Sequence, residues 1–133
     1  MKTAPILLSL AFAAALAQAP AQAAGAAFRC GGIGSDESQQ MKADAVNHDL
    51  MLTFASSTGA YLADVKVDIS NAKGESVVAG NCNGPIMLVD VPAAGEYRVS
   101  ALYNGMARQQ TLHVGQPGKG TAATFVWAAD VVK

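Results

Sequence analysis

The sequence predicts a small all-β sandwich of about seven strands, and three observations support this prediction. Apolar and polar residues alternate with a period of two in several segments, which is typical of strands buried on one face. Turn-forming residues separate these segments roughly every 8 to 12 residues, as in other sandwiches. Two cysteines, Cys30 and Cys82, lie far apart in the chain and can join its N-terminal part to the sheet.

Residues 1–23 have the pattern of a cleavable signal peptide. Lys2 precedes an apolar run over residues 6–17, and residues 21–23 form the small-x-small sequence that signal peptidase accepts. The apolar run is shorter than the roughly 20 residues that a membrane-spanning helix needs. We therefore expect the protein to be exported to the periplasm or secreted, without spanning a membrane.

Cleavage after Ala23 leaves 110 of the 133 residues (133 − 23), enough for one domain. We expect an N-terminal arm and a short helix over 24–46, followed by the sandwich over 47–133. Without Lys2 the charged residues are 8 basic against 10 acidic. This balance lacks the excess of basic residues that binding to nucleic acid or to a membrane surface needs, so neither partner is expected.

Cys30 and Cys82 are predicted to form a disulfide, because an even pair of cysteines in an exported chain is usually bonded. The bond would close a loop of 52 residues (82 − 30). On the chain-entropy model a loop of this length stabilises the fold by about 4 kcal/mol. The chain has no Cys-x-x-Cys motif, so the role is expected to be structural rather than redox-active.

The element pattern begins with a glycine-rich turn at 31–34, since glycine disfavours regular structure. A short helix over 35–45 follows, with Ser35 as its predicted N-cap and acidic residues in its first turn. Seven strands are then predicted: one that begins at Asp49 and ends before Ser56, then 64–69, 76–79, 86–89, one from Tyr97 to Leu102, 106–114 and 121–127.

The fifth and sixth predicted strands form the clearest hairpin. Asn104 and Gly105 suit a two-residue type I′ turn between them. This turn fixes which residues face each other across the hairpin. The predicted pairs are Tyr97 with Leu112, Val99 with Gln110, and Glu96 with His113.

Several stretches between residues 47 and 127 together form one pattern of strands and turns. They are 61–69, 73–75, 83–85, 92–99 and 103–105. The pattern resembles the carboxypeptidase regulatory-like domains, and 31–34 with the polar helix behind it resembles their small exported proteobacterial members. The resemblance implies a seven-stranded prealbumin-like, or transthyretin-like, sandwich. Because its motifs are turn and core signals, it implies a fold rather than an activity.

No enzymatic activity and no catalytic residue are expected. His48 and His113 are the two histidines of the chain, and no nucleophile lies in a recognisable elbow motif. The transthyretin-like fold includes hydroxyisourate hydrolases, which use histidines and an arginine and end in Tyr-Arg-Gly-Ser. Here the similar segment at 97–100 is internal and has Val99 in the third position, so that activity is not expected.

No metal or cofactor site is predicted, although one group of residues has the composition of a copper-binding pattern. His48 has Met41 and Met51 nearby in sequence, and copper favours imidazole and thioether ligands. Packing of the two methionines in the core or on the surface is the preferred interpretation. His113 is interpreted as a surface residue beside Glu96.

Four residues are candidate ligand contacts: Arg108, Gln110, Tyr103 and Trp127. Arg108 and Gln110 fall on the core side of their strand, where polar groups need partners or must reach the rim. Tyr103 and Trp127, with Tyr61, could stack on a sugar ring, although scattered aromatic residues usually belong to the core.

The preferred function is a non-enzymatic exported domain that binds a protein or envelope component through sheet edges or loops. The alternative is a carbohydrate- or metal-binding periplasmic module, and a transthyretin-like hydrolase ranks third.

Overall fold

The computed structural model describes residues 26–115 and 120–132, and it contains two packed β-sheets and one α-helix. The predicted signal peptide at 1–23 lies outside the described residues. In chain order the elements are β1 (Ala27–Gly31), α1 (Ser35–Asp44), a 3-10 helix (Ala45–Asn47), β2 (Leu50–Ser56), β3 (Val65–Asn71), β4 (Ser76–Cys82), β5 (Ile86–Asp90), β6 (Gly95–Tyr103), β7 (Met106–Val114), β8 (Thr121–Trp127) and a second 3-10 helix (Ala129–Val131).

The strands form two four-stranded sheets, with the order β1-β5-β2-β8 in the first and β4-β3-β6-β7 in the second. Neighbouring strands are antiparallel except for β2 and β8, which are parallel. The predicted all-β sandwich with a short N-terminal helix is confirmed. No helix within the described ranges has the length and apolar composition to cross a bilayer.

The described chain contains eight strands rather than the predicted seven, and the additional one is β1. It lies in the segment interpreted as an N-terminal arm, and it pairs antiparallel with β5 at the edge of the first sheet. Its burial alternates, with Phe28 and Cys30 packed against the core and Ala27 and Arg29 exposed. With only two inward side chains in five residues, the alternation is too short to predict a strand from the sequence.

The N-terminus of α1 corrects one prediction, because Ser35 is not its cap. The helix begins at Ser35, and Gly34 occupies the N-cap position with φ of 89° and no side-chain hydrogen bond. The Glu37 carboxylate instead accepts hydrogen bonds from the N–H groups of Gly32 at 2.6 Å and Ile33 at 3.1 Å. The acidic first turn of the helix therefore fixes the glycine-rich turn before it.

The main core fills the space between the sheets. Phe54, Phe125 and Trp127 are at most 1% exposed, with ring centroids 6.0 and 6.4 Å from Phe54. A smaller apolar cluster lies on the other side of the first sheet, where Met41 of α1 packs against Ile86 and Leu88. The helix thus covers β5, which explains why that strand is buried on both faces.

The β6–β7 hairpin has the predicted register. Tyr97 faces Leu112, Val99 faces Gln110, and Glu96 faces His113. Asn104 and Gly105 have φ of 48° and 78°, as a type I′ turn requires. The Asn-Gly turn and the alternation of apolar and polar residues were together sufficient to predict this pairing.

Candidate binding surface

The two sheets differ in what covers their outer faces. Helix α1 lies on the first sheet at β5, whereas the outward side chains of the second sheet are exposed or half-buried. We call this second surface the open face. Its residues are Lys66, Asp68 and Ser70 on β3, Ser76, Ala79 and Asn81 on β4, Glu96, Arg98, Ser100 and Leu102 on β6, and Ala107, Gln109, Thr111 and His113 on β7.

Short side chains occupy the middle of the open face. Asp68 faces Ala79 on one side and Ser100 on the other, and Ser100 faces Gln109. Toward one end, Leu102 is 38% exposed and faces Lys66. A binding partner can therefore approach the backbone closely at the centre and find apolar surface beside it.

Charges of both signs lie on the open face. Lys66 and Arg98 are exposed cations, and Asp68 accepts a hydrogen bond from the Ser76 hydroxyl at 3.1 Å. A depression of about 470 Å³ around Lys66, Asp68 and Leu102 lies at one end of the face. The surface is mixed rather than dominated by one charge.

A second cavity of about 470 Å³, which we call the turn pocket, lies between the β3–β4 turn and β6. Besides Tyr97, six of its lining residues are polar or charged: Ser70, Asn71, Lys73, Glu96, Arg98 and Thr111. A β-bulge between Ile69 and Ser70 interrupts the β3–β4 register at this end of the sheet. Bulges commonly redirect side chains near functional sites. Its lining residues come from separate parts of the chain and form no motif in the sequence.

Cys30 and Cys82 lie at disulfide distance, with their sulfur atoms 2.11 Å and their Cα atoms 5.4 Å apart. Because β1 belongs to the first sheet and β4 to the second, the pair joins the two sheets along one side of the sandwich. Such a pair is compatible with an oxidising compartment outside the cytoplasm.

The four candidate ligand contacts lie near the opposite side, but they do not form one exposed site. Arg108 is exposed at the rim, whereas Gln110 donates a hydrogen bond to the carbonyl oxygen of Thr124 at 2.8 Å. Trp127 is 0% exposed, and the half-buried Tyr103 ring packs on it at 5.8 Å. The interpretation of Trp127 as an exposed stacking residue is therefore corrected, because its ring is enclosed by the core.

The residues of the copper-binding pattern are separated by packing. Met41 is 4% exposed in the apolar cluster under α1, and Met51 packs against the same cluster. His48 instead contacts Asp90, with Nδ1 at 3.0 and 3.2 Å from the two carboxylate oxygens. Within 26–115 and 120–132, no group of three or more His, Cys, Asp or Glu side chains could hold a metal ion.

Two further residues from the sequence analysis lie on the surface. His113 is exposed and faces Glu96 across the hairpin. Tyr61 is 52% exposed, but Lys42 of α1 lies 5.7 Å from its ring centroid and 3.3 Å from its hydroxyl. The lysine thus partly occupies the side of the ring that a sugar could use.

One carboxyl group has a clearly shifted pKa. The Arg29 side chain, which donates to Asp44 at 3.0 Å, lowers the pKa of Asp44 below its usual range, and a hydrogen bond from Gln40 lowers it further. The pair connects β1 to the end of α1. It is a surface contact away from the open face.

No family model matches the sequence, and no curated protein matches it. Twelve chains of solved structures match. One of them is the 5-hydroxyisourate hydrolase of Klebsiella pneumoniae, with 19% identity over 61% of this chain and 90% of that chain, and a TM-score of 0.48. The likeness assigns no activity here, and the resemblance to carboxypeptidase regulatory-like domains is not confirmed.

Proposed function

We propose that this chain is a non-enzymatic binding domain of the periplasm or the extracellular space, and that it binds a protein of the cell envelope through the open face. The observation that carries the proposal is the difference between the two sheets. The first sheet buries part of its outer face under α1, while the second leaves the outward side chains of four neighbouring strands accessible.

The composition of the open face favours a protein partner. Non-obligate protein interfaces combine apolar and polar area in about the proportions of ordinary surface. The open face has this character, because the exposed Leu102 lies beside Lys66, Asp68 and Ser100. Its short central side chains also allow close approach of a flat partner surface.

The size of the open face predicts a transient interaction. Four strands about 4.8 Å apart, each contributing about six residues of roughly 3.3 Å, give a flat area of roughly 400 Å². Stable complexes bury about 800 Å² on each partner. A partner confined to the open face would therefore form an interface at the small end of the range.

Two observations support a location outside the cytoplasm. The leader pattern at residues 1–23 predicts export. Cys30 and Cys82 lie at disulfide distance, and disulfides persist mainly in oxidising compartments.

The test compares one substitution on the open face with a matched substitution elsewhere. Leu102→Asp places a charge on the open face, where Leu102 is 38% exposed. Val126→Asp is the control, because Val126 is an outward strand residue of the first sheet and is 44% exposed. Proteins captured from an envelope extract are identified, purified and titrated calorimetrically with each folded variant.

We expect the Leu102 variant to bind the purified partner at least about tenfold more weakly, and the Val126 variant to bind it like the wild type. Equal affinities for all three proteins would overturn the assignment of the open face. Calorimetric titrations with oligosaccharides and with copper test the alternative modules, and saturable binding of either without a protein partner would overturn the proposal.

A further inference from the structure

We infer that the turn pocket is a binding site for a carboxylate group. This inference deepens the proposed function, because it names the chemical group that one end of the open face recognises. The site combines Lys73 and Arg98 with the hydroxyl groups of Ser70 and Thr111 around one cavity.

The two cations of the turn pocket have free donor groups. In the part of the chain that the structure describes, neither the Arg98 guanidinium nor the Lys73 ammonium makes a hydrogen bond or an ion pair. Arg29, by contrast, is paired with Asp44. The planar guanidinium can donate two parallel hydrogen bonds to one carboxylate. Arg98 is therefore the expected primary contact.

The β3–β4 turn that carries Lys73 is held by its own hydrogen bonds. The side-chain oxygen of Asn71 accepts hydrogen bonds from the N–H groups of Lys73 and Glu75, each at 3.0 Å. The main chain adds a hydrogen bond from Gly74 N–H to the Asn71 carbonyl oxygen at 2.9 Å. Binding at this turn would thus require little ordering of the backbone, which favours affinity.

Two hydroxyl groups flank Arg98 on the same face of the sheet. Ser70 is its register partner on β3, and Thr111 is its register partner on β7. Cross-strand neighbours have Cβ atoms roughly 5 Å apart, so both hydroxyls lie within reach of a group bound to the arginine. Each can donate a hydrogen bond to an anion.

The charge of the pocket favours a carboxylate over a phosphate. Lys73 and Arg98 contribute two positive charges, and Glu96 contributes one negative charge. The net single positive charge matches one carboxylate. A phosphate ester carries about −1.5 to −2 charges near neutral pH, so Glu96 repels it more strongly than it repels a carboxylate. Glu75 lies on the same turn, but its carboxylate accepts a hydrogen bond from Asn71 at 3.0 Å.

The experiment is a nitrogen-15 NMR titration of the folded protein at low ionic strength, because salt screens exposed charges. The probes are acetyl-glutamate amide, its neutral analogue acetyl-glutamine amide, and inorganic phosphate. We expect saturable amide shifts around Ser70, Lys73, Arg98 and Thr111 with the glutamate probe, weaker binding of phosphate, and no saturable shifts with the neutral probe.

Variants connect these shifts to the pocket. Arg98→Gln should weaken binding of the glutamate probe at least about tenfold, since it removes a charged hydrogen-bond pair. Lys66→Gln, which removes an exposed cation of the same face outside the pocket lining, should leave it unchanged. Glu96→Gln should strengthen phosphate binding relative to the glutamate probe.

Absence of saturable shifts in the wild-type protein, or equal weakening by Arg98→Gln and Lys66→Gln, would overturn the inference. Neither result affects the capture assay with Leu102→Asp and Val126→Asp. A failure of the carboxylate site is therefore distinguishable from a failure of the proposed binding function.

Discussion

The indole Nε1 of Trp127 donates a hydrogen bond to the carbonyl oxygen of Met106 at 2.9 Å, and this bond joins β8 of the first sheet to β7 of the second. The Gln110 side chain makes a similar connection to the Thr124 carbonyl oxygen at 2.8 Å. Side-chain hydrogen bonds to the main chain thus close this side of the sandwich, while the cysteine pair lies on the other.

Replacement of Trp127 by Phe should lower the free energy of unfolding by about 1 to 3 kcal/mol. The change removes the hydrogen-bond donor and leaves a small cavity in the core. Urea denaturation followed by far-ultraviolet circular dichroism measures the loss, because Trp127 is the sole tryptophan and its fluorescence disappears. Gln109→Ala, at an exposed position of neighbouring β7, is the control. Wild-type stability of the Phe variant would contradict this account.

Loss of the bond between Cys30 and Cys82 should destabilise the protein by about 4 kcal/mol, because the bond closes a loop of 52 residues in the unfolded chain. Denaturation of the purified protein with and without a thiol reductant measures the effect with no change of side chain. A Cys30→Ala and Cys82→Ala double variant provides the second measurement and should be insensitive to reductant. Free thiols in the untreated protein, detected by mass spectrometry, would refute the prediction.

Phe28 and Gly80 should be energetically coupled across the β1–β4 side. A Cβ atom on Gly80 would lie 2.7 Å from Cζ of the Phe28 ring, so Gly80→Ala should cost about 1 to 3 kcal/mol through overpacking. Phe28→Leu replaces the ring by a shorter side chain and should relieve part of that cost. A double-mutant cycle should therefore give a coupling energy of about 0.5 kcal/mol or more.

Gly115→Ala is the matched control for Gly80→Ala, because a Cβ there meets nothing within 4 Å. The same cost at both glycines would show that backbone effects, rather than contact with Phe28, determine the result. Strict additivity in the cycle would also argue against the contact.

Local signals were sufficient to predict much of the fold. Strict alternation from Val65 to Ile69 identified β3, and the two-residue turn at Asn104 and Gly105 fixed a hairpin register over nine residue pairs. The parallel pairing of β2 with β8 was not predicted, because it joins strands separated by most of the chain. Alternation shows which face of a strand is buried, but it does not identify the neighbouring strand.

The turn pocket was missed for the same reason. The hairpin register already implied that Arg98 faces Thr111, but Ser70 and Lys73 come close only because β3 pairs with β6. The sequence makes Trp127 a candidate ligand contact because an exposed aromatic ring can stack on a sugar, although scattered aromatic residues usually belong to the core. Its burial depends on packing against Phe54 and Tyr103, which are distant in sequence.

The ion pair between Arg29 and Asp44 should make stability depend on pH in the acidic range. Hydrogen bonds from Arg29 and then Gln40 lower the pKa of Asp44 in the folded protein, whereas the pKa of an unfolded aspartate is about 3.9. The folded state therefore gains stability above that pH and loses it as the pH falls through the lowered pKa. Urea denaturation at several pH values should show the wild type exceeding Asp44→Asn near neutrality, with the two curves converging in acid. Asp130→Asn, which changes an exposed carboxyl group, is the control, and its stability curve should not converge with that of the wild type in acid.

A constant difference in stability between the wild type and Asp44→Asn at all pH values would mean that the ionised carboxylate is not the cause.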